Sequence, residues 1–434
     1  MPQALDQLRD TFVSIWHTAQ LTGDDAWRVY LPGEQREGEG RLQAFVDLLC
    51  GEARRAREQE TLNPEAQERL LEGFVAFVSP TLGWDRSLLE ELLDEFPAAI
   101  DAFRLEARRF DPSLSAGDIY QGARNAITML CLQRLLGVPV VVTPAVVGYS
   151  LLYPYTDNFL DDQSVGPGSK AVFVERFGDR LAGRCVTPVN PLEERVFALV
   201  AMIEGQYQRA RYGHVFEALL AIHAAQVRSV ALLHSPTPPE VIEIAIEKGG
   251  TSVLADGYLV AGMLTAAQAE CLYGLGVFLQ LRDDLEDLTE DRRRGQATVF
   301  SSLRWYRQLD DATTRTLAIG RAVVERLAAF EEPAAQPVRE MMTRSLLLTI
   351  TDAAASAARR YRRSYRRMLE RHSPFRLAFL VAQRRRVSRA HGSVSGLLEA
   401  WVSGCDTPAW NRRVRPVPPS RSPRLRVVPS PSPD

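Results

Sequence analysis

Apolar residues recur with α-helical spacing along almost the whole chain, and this pattern constrains the fold more than any other feature. Several segments begin with a capping residue before proline, as at Thr143-Pro144, Asn190-Pro191 and Thr237-Pro238. Strand-like alternation is scarce and no internal repeat is evident, so the chain is predicted to be all-α. Predicted helices cover Leu42 to Ala56, Pro64 to Val78, Ser87 to Ala107, Ile119 to Leu136, Pro144 to Asp162, Pro191 to Ala210, Val215 to Leu233, Pro238 to Glu247, Ala266 to Glu290, Thr313 to Phe330, and Val338 to Leu369.

One of these helices is predicted to carry a stripe of carboxylates. Asp283, Asp287 and Asp291 are spaced four residues apart and share one helix face, with Asp284 beside them. Neighbouring like charges cost a few tenths of a kcal/mol per pair unless cations lie between them. Mg²⁺ fits such a stripe, because it takes one or two carboxylates and keeps its other positions for water and phosphate. A solvated acidic face is the alternative, but the apolar run from Leu275 to Leu281 indicates that the stripe starts in packed surroundings.

A second acidic cluster lies well upstream of this stripe. Asp157 and Asp161 repeat the one-turn spacing at the end of an apolar stretch, and Asp162 follows directly. Two such clusters on separate helices can face each other across a cavity. Pro154 precedes Asp157 by less than one turn, so it is predicted to kink the helix or to mark where one helix ends and another begins.

Lysine usage is a further indication of function. Only Lys170 and Lys248 are lysines among 52 basic residues, so arginine is used almost everywhere else. A lysine kept in such a chain suggests a need for a compact point charge rather than a planar guanidinium. Two residual surface lysines are the alternative interpretation.

From Lys248 to Asp291 the chain resembles the second half of a trans-polyprenyl diphosphate synthase, and its two acidic clusters resemble those of the class I isoprenoid synthase superfamily. That superfamily also contains terpene cyclases and squalene/phytoene synthases. The first cluster departs from the family pattern, because Asn158 stands where a second aspartate is usual and offers only a neutral oxygen ligand. The matching residues are Lys248-Gly-Gly-Thr251, the small-residue run from Ala255 to Gly262, Tyr273-Gly-Leu-Gly276, Gln280, Asp283, Asp284, Asp287 and Asp291.

The resemblance implies a helical bundle of the class I terpenoid synthase type around a central cavity. It also implies about three Mg²⁺ ions, which Mn²⁺ can replace, and a prenyl diphosphate substrate. The implied metal ligands are Asp157, Asp161, Asp162, Asp283, Asp284, Asp287 and Asp291, of which Asp157, Asp161, Asp283 and Asp287 are the expected catalytic residues. The implied substrate contacts are Lys248, Arg124, Arg282, Arg294, Gln280 and the Arg360-Tyr361 pair, which resembles the Arg-Tyr pair of terpene cyclases.

The residues that would bind a second diphosphate are largely missing. Of the segment that binds isopentenyl diphosphate in elongating synthases, only Gly122 and Arg124 remain, and the loop after Asp162 has no arginine pair. Each charge-assisted phosphate contact is worth roughly 1.5 to 3 kcal/mol, so an anionic co-substrate would be poorly held. This difference favours ionisation of a linear prenyl diphosphate followed by cyclisation or quenching of the carbocation, as in a terpene synthase.

Aromatic residues near the acids could stabilise such a carbocation. Tyr149, Tyr153, Phe159 and Phe278 lie on or near the acid-bearing helices, and a desolvated cation-π contact is worth about 2 kcal/mol. Plain core packing is the alternative for these aromatics. Elongation with isopentenyl diphosphate is the alternative reaction. Head-to-head condensation is another, because the run from Arg282 to Asp287 also resembles the squalene/phytoene synthase motif.

Charge and cysteine content bear on partners and location. A net charge of −2 predicts no general attraction to nucleic acid, although the region after Arg359 is rich in arginine. The N-terminus lacks a signal-peptide pattern, and no apolar stretch is long and unbroken enough to predict a membrane span. Five cysteines without metal-site spacing favour a reducing, cytoplasmic location. They are Cys50, Cys131, Cys185, Cys271 and Cys405.

The predicted organisation has three parts: an N-terminal helical extension (1–110), a class I isoprenoid synthase α-domain (111–403), and a disordered Pro/Ser/Arg-rich tail (404–434). The tail's charge permits weak contact with an anionic membrane surface, and a solvated tail is the alternative. The resemblance also allows a homodimer. A non-catalytic synthase subunit and a basic nucleic-acid or membrane module are alternatives of other classes. The intact acids from Asp283 to Asp291 argue against a non-catalytic subunit. Truncation after about Ser403 would test the basic module.

Overall fold

The computed structural model describes residues 2–19, 27–59, 64–162, 164–229 and 237–389, and across these ranges its regular structure is helical, without a strand. The all-α prediction is therefore confirmed. The helices are α1 Pro2–Thr18, α2 Pro32–Gln59, α3 Pro64–Leu82, α4 Arg86–Phe110, α5 Ala116–Leu135, α6 Pro144–Asp161, α7 Pro167–Leu181, α8 Pro191–Gln206, α9 Gly213–Ser229, α10 Pro238–Ala261, α11 Ala266–Glu286, α12 Leu288–Arg294, α13 Tyr306–Arg326, α14 Gln336–Ser356, α15 Arg363–Arg371 and α16 Leu377–Arg389.

Helices α10 and α11 lie at the centre of the bundle and have the most extensive mutual contact. Helices α1, α5, α6 and α9 pack against α10, while α13 and α14 pack against α11. Helix α6 also lies between α5 and α8. The predicted cap of α6 is present, since Thr143 Oγ1 accepts the Val146 N–H at 3.3 Å. The two helices that carry the acidic clusters, α6 and α11, are thus both anchored to α10 or its neighbours.

Two glycines bring the backbones of α10 and α11 into direct contact. A Cβ atom on Gly276 would lie 2.1 Å from the Gly249 carbonyl oxygen, and one on Gly249 would lie 2.6 Å from the Gly276 carbonyl oxygen. No side chain fits at either position, because both obstacles are backbone atoms. The contact fixes Lys248, next to Gly249, relative to the start of the acidic stripe on α11.

We expect Gly276→Ala to lower the free energy of unfolding by at least about 2 kcal/mol, because the helices must separate to admit a methyl group. Gly205→Ala on α8 is the matched control, since nothing lies within 4 Å of its added Cβ. That variant should gain up to about 1 kcal/mol from helix propensity. Chemical denaturation measures both. A similar change in the free energy of unfolding for the two variants would show that the backbones of α10 and α11 are not in direct contact at Gly276.

The N-terminal helix α1 belongs to the main core. Phe12 is fully buried, stacks on Tyr273 with ring centroids 5.8 Å apart, and lies where a side chain on Gly274 would clash with it. A second, smaller core joins α2, α3 and α4 to the chain around α16, with Phe77 and Phe375 in contact across it. The domain boundary after residue 110 stays a prediction, and the predicted tail lies outside the described residues.

Several helix boundaries differ from the predictions. Helices α1, α7 and α16 were not predicted, and α10 continues past Glu247 because its glycine pair mediates helix packing rather than ending the helix. The continuous helix predicted from Ala266 to Glu290 is wrong, since it breaks at Asp287. The one predicted from Val338 to Leu369 is also wrong, since α14 and α15 are separate. Helix α6 runs through Pro154 without ending there.

No helix in the described part of the chain combines the length and apolar character that a membrane crossing requires. Four cysteines are free thiols, and Cys405 lies outside the described residues. The free cysteines are Cys50, Cys131, Cys185 and Cys271.

Candidate active site

The second acidic cluster begins where α11 packs against α10. Gln280 Nε2 donates a 2.8 Å hydrogen bond to Asp284 Oδ1, and Asp284 is buried. Lys248 on α10 is close enough for its charge to act on Asp284. Burial raises the pKa of Asp284 to about 7, because lost solvation outweighs the stabilisation of the carboxylate by Gln280 and Lys248. The structure therefore brings these three predicted site residues together.

Asp287 stands at the junction between α11, which ends at Glu286, and α12, which begins at Leu288. Helical hydrogen bonds continue across the junction: the Asp287 N–H donates to the Asp283 carbonyl, and the Asp291 N–H donates to the Asp287 carbonyl, both at 2.9 Å. The one-turn spacing of the three aspartates therefore survives the break. The pKa of Asp287 is raised to about 6. Partial desolvation is the largest cause, and repulsion from Asp283 and Asp291 adds to it.

Asp291 is buried and accepts a 3.1 Å hydrogen bond from Thr298 Oγ1. Burial is the main reason that its pKa is raised, and the stabilising effects of Thr298 and Arg294 only partly offset it. Arg294 is exposed and forms an ion pair with Glu290. The predicted Arg294 thus lies beside the acids, but its guanidinium is already shared with a second carboxylate.

Arg282 also lies among the acids. Its guanidinium pairs with Glu286 and comes within 3.6 Å of Asp283, whose side chain is half exposed. Three of the four aspartates in this cluster have a raised pKa. Burial is the largest cause of each shift, and the neighbouring cations do not offset the lost solvation.

The first acidic cluster lies at the C-terminal end of α6. Asp157 is half-buried, and its Oδ1 accepts a 3.4 Å hydrogen bond from Gln226 Nε2 on α9. Asn158 is exposed and donates to Asp118 Oδ1 at 3.0 Å. Asn158, the position that departs from the family pattern, thus ties α6 to the start of α5.

The residues after Asp157 hold the turn between α6 and α7. Asp162 accepts hydrogen bonds from the Ser164 N–H at 2.8 Å and the Ser164 hydroxyl at 2.7 Å, and these bonds lower its pKa. Lys170 donates to the Leu160 carbonyl. Asp161 is the last residue of α6, and its side chain lies outside the described part of the structure.

Helices α6 and α10 run antiparallel, which relates the first cluster to Lys248. The Tyr153 hydroxyl of α6 lies 3.1 Å from Ser252 Oγ of α10. Tyr149, which is one turn before Tyr153, lies near Asp256, which is one turn after Ser252. Continuing this register by one turn sets Asp157 at the level of Lys248. Lys248 therefore lies on the helix between the two acidic clusters, beside Asp284 on one side and level with Asp157 on the other.

An apolar cleft opens beside Asp157, between α6, α7 and α9, with an empty volume of about 690 Å³ counted out to solvent. Tyr149 and Tyr153, both suggested from sequence as pocket aromatics, line it, and their hydroxyl groups lie 3.4 Å apart. Its walls are otherwise largely apolar, and the principal side chains are Leu152, Leu160, Phe173, Phe177, Leu219 and Ile222. The cleft thus joins a carboxylate to a hydrocarbon-lined space.

Among the described side chains, no three histidines, cysteines, aspartates or glutamates are already gathered as a metal site. The acids nevertheless fit Mg²⁺ in kind, because they supply the carboxylate oxygens that a hard cation prefers. Mg²⁺ needs only one or two carboxylates where water and phosphate complete its shell. Asp283 and Asp287 on one side, and Asp157 on the other, are the residues that would hold it.

Other predicted residues lie apart from this group. Arg124 is exposed on α5, and no contact from it to either acidic cluster is found in the described ranges. Arg360 lies over a different pocket, beside α12. Tyr361 is buried, with its hydroxyl 2.8 Å from Thr313 Oγ1, so it packs against α13 rather than opening toward the acids.

Two of the suggested pocket aromatics also lie elsewhere. Phe159 packs edge-on against Phe173 at 4.9 Å, and the fully buried Phe278 contacts α13 at Gly320. Neither lines the cleft beside Asp157.

A buried polar network behind the cleft was missed from the sequence. Asp256 is 1% exposed and accepts a 3.3 Å hydrogen bond from Asn125 Nδ2, which also lies 3.3 Å from Ser150 Oγ. Burial raises the pKa of Asp256 to about 8 and also raises those of Tyr149 and Tyr153. The available signal was a single acid within the run of small and apolar residues on α10.

We expect Asp256→Asn to change the pH dependence of stability. Folded Asp256 keeps a proton that the unfolded chain releases above pH 4, so this group lowers stability as pH rises from about 4 to about 8. Asp256→Asn lacks this loss. Its free energy of unfolding should therefore rise by a few kcal/mol relative to that of the wild type between pH 5 and about pH 9. Denaturation across that range measures it, with the exposed Asp311→Asn as control. A difference in the free energy of unfolding between Asp256→Asn and wild type that stays constant across this pH range would contradict the prediction.

Comparison with known proteins finds no match for this chain among family models, curated proteins or solved structures.

Proposed function

We propose that this protein is a Mg²⁺-dependent terpene synthase that ionises a linear prenyl diphosphate and lets the carbocation cyclise or be quenched. The observation that carries the proposal is the apolar cleft beside Asp157, together with the helix register that sets Asp157 level with Lys248, whose charge acts on Asp284. A prenyl diphosphate has two parts, an anionic diphosphate and a hydrocarbon chain. The aspartates would bind the diphosphate through Mg²⁺ ions, and Lys248 would bind it directly. The apolar cleft would hold the hydrocarbon chain.

The proposed reaction begins when the bond between C1 and the diphosphate oxygen breaks and its electron pair leaves with the diphosphate. Bound Mg²⁺ would supply Lewis-acid stabilisation of that leaving group. Lys248 contributes a fixed positive charge at the same end, held in place by the glycine contact of α10 with α11. Gln280 holds the side chain of the buried Asp284 by a hydrogen bond.

The allylic cation then remains in the cleft. Its apolar walls exclude water, and the faces of Tyr149 and Tyr153 can stabilise positive charge by about 2 kcal/mol. Attack by a double bond of the same molecule forms the new carbon–carbon bond, and loss of a proton to the departed diphosphate completes a hydrocarbon product. Capture by one water molecule, followed by loss of its proton to the diphosphate, would instead form an alcohol.

The test is incubation of the purified protein with Mg²⁺ and geranyl, farnesyl or geranylgeranyl diphosphate, each with and without isopentenyl diphosphate. Diphosphate release with a hydrocarbon or alcohol product, independent of isopentenyl diphosphate, is the expected result. A longer diphosphate formed only with isopentenyl diphosphate would replace the proposal with chain elongation. A head-to-head dimeric product would replace it with condensation of the squalene type, and no diphosphate release from any substrate would contradict all three.

A further inference from the structure

A second pocket lies beside α12, on a different face of that helix from Asp287 and Asp291. Leu288 and Arg292 of α12 line it, together with residues of the following loop and the start of α13, and its empty volume is about 490 Å³ counted out to solvent. Its apolar lining is formed by Leu288, Phe300, Leu303 and Leu309, and its polar lining by Arg292, Arg304 and Arg360, with Trp305 beside them.

The three arginines of this α12 pocket differ from many other arginines of the described chain in the groups that they contact. Arg292 donates from Nε to the Ser301 carbonyl at 3.0 Å and from a second nitrogen to the Leu303 carbonyl, and both acceptors are uncharged. Arg304 and Arg360 are exposed. Across the described residues no ion pair joins a carboxylate to any of the three, although many other arginines of the chain are paired.

Three guanidinium groups around one pocket repel each other, and an anion removes that cost. Guanidinium groups match the oxygens of phosphate and bind them through paired hydrogen bonds. The rest of the lining is apolar, and the Trp305 side chain, 71% exposed, offers a large aromatic surface next to it. The pocket therefore combines an anion site with a surface for a hydrophobic group.

We propose that the α12 pocket is a second ligand site, which binds the phosphate group of an amphiphilic phosphate ester without a metal ion. Arg304 and Arg360 contact the phosphate, and Arg292 adds charge while it holds the loop that carries Phe300. The apolar part of the ligand lies over Leu288 and against Trp305. This site uses none of the aspartates of the proposed active centre, so it does not depend on the terpene synthase proposal.

Binding can be measured on the full chain in EDTA, which removes any contribution from metal-held diphosphate. The probes are inorganic pyrophosphate and geranyl diphosphate, titrated by calorimetry and by tryptophan fluorescence. Wild type should saturate with both and bind geranyl diphosphate more tightly. Arg304→Gln and Arg360→Gln should each weaken binding about tenfold or more, because each removes a charge-assisted contact. Trp305→Phe should lose most of the fluorescence change.

The matched control is Arg359→Gln, which removes an exposed arginine next to Arg360 that does not line the pocket. Equal weakening by Arg359→Gln and Arg360→Gln would show general attraction to an arginine-rich surface and overturn the proposal. So would the lack of saturation with either probe in the millimolar range.

Sedimentation with vesicles distinguishes a lipid headgroup from a soluble ester as the source of the phosphate. Vesicles of phosphatidylcholine with phosphatidic acid are compared with phosphatidylcholine alone. Sedimentation that requires both phosphatidic acid and Arg304 supports the site with a membrane lipid as ligand. Geranyl diphosphate binding without sedimentation supports it with a soluble ester as ligand.

Discussion

Replacement of Asp287 by asparagine is expected to lower Mg²⁺-dependent release of diphosphate by at least about a thousandfold, the largest effect we predict for a single side chain. Asp287 stands between Asp283 and Asp291 on consecutive turns, and their repulsion contributes to its raised pKa. Asparagine keeps the shape of the side chain but removes the charge that a hard cation requires. Turnover at saturating Mg²⁺ with the preferred substrate measures the loss.

Glu290→Gln is the matched control for this prediction. Glu290 is an exposed acid on α12 that already pairs with Arg294, and it is not a proposed metal ligand. Its loss should leave turnover within a fewfold of wild type. If Asp287→Asn keeps full activity, or if the two variants lose activity equally, the aspartate stripe is not the metal site.

Replacement of Lys248 by glutamine is expected to reduce kcat/KM about a hundred- to thousandfold, because it removes a fixed positive charge near the leaving diphosphate. Lys248 lies near Asp284 on one side and level with Asp157 on the other. Lys170, the other lysine in the sequence, bonds to the Leu160 carbonyl in a turn. Lys170→Gln should therefore affect stability slightly and kcat/KM little.

The lysine content also permits a direct test of contact. An amine-reactive label can modify only two lysine side chains in this sequence, so mass spectrometry follows each separately. Pyrophosphate with Mg²⁺ should protect Lys248 from labelling and leave Lys170 unaffected. Equal protection of both lysines, or of neither, would contradict the assigned role of Lys248.

The sequence predicted most helices because their apolar spacing and cap residues act locally, as at Thr143 before α6. Sequence patterns gave wrong helix boundaries where contacts between helices determine the structure. The helix predicted to end at Glu247 continues through a glycine pair that packs against α11, and a local pattern cannot indicate a contact with another helix. Helix α7 went unpredicted although Phe173 and Phe177 form part of the cleft wall.

The candidate site was predicted unevenly for a similar reason. The one-turn spacing of Asp283, Asp287 and Asp291 survives the break between α11 and α12, since it depends on local backbone hydrogen bonds. Arginines and tyrosines were harder to place because their long side chains can reach several neighbours. Tyr361 packs on α13, and Arg360 lies in the α12 pocket, although the two are adjacent in the chain. Asp256 was missed because burial, which gives it its chemistry, depends on α5 and α6.

The glycine contact between α10 and α11 also bears on how such a protein could diversify. Lys248 and Gln280 are set by two backbones that touch, so their separation cannot drift as surrounding side chains are exchanged. The cleft wall on α7 and α9 is built from side chains, and it can be reshaped residue by residue. The placement of Lys248 and Gln280 is thus rigid by construction, whereas the cleft wall is open to variation. Under the proposed function, variants of Phe173 or Leu219 should accordingly alter which prenyl chain is accepted and leave binding of the diphosphate unchanged.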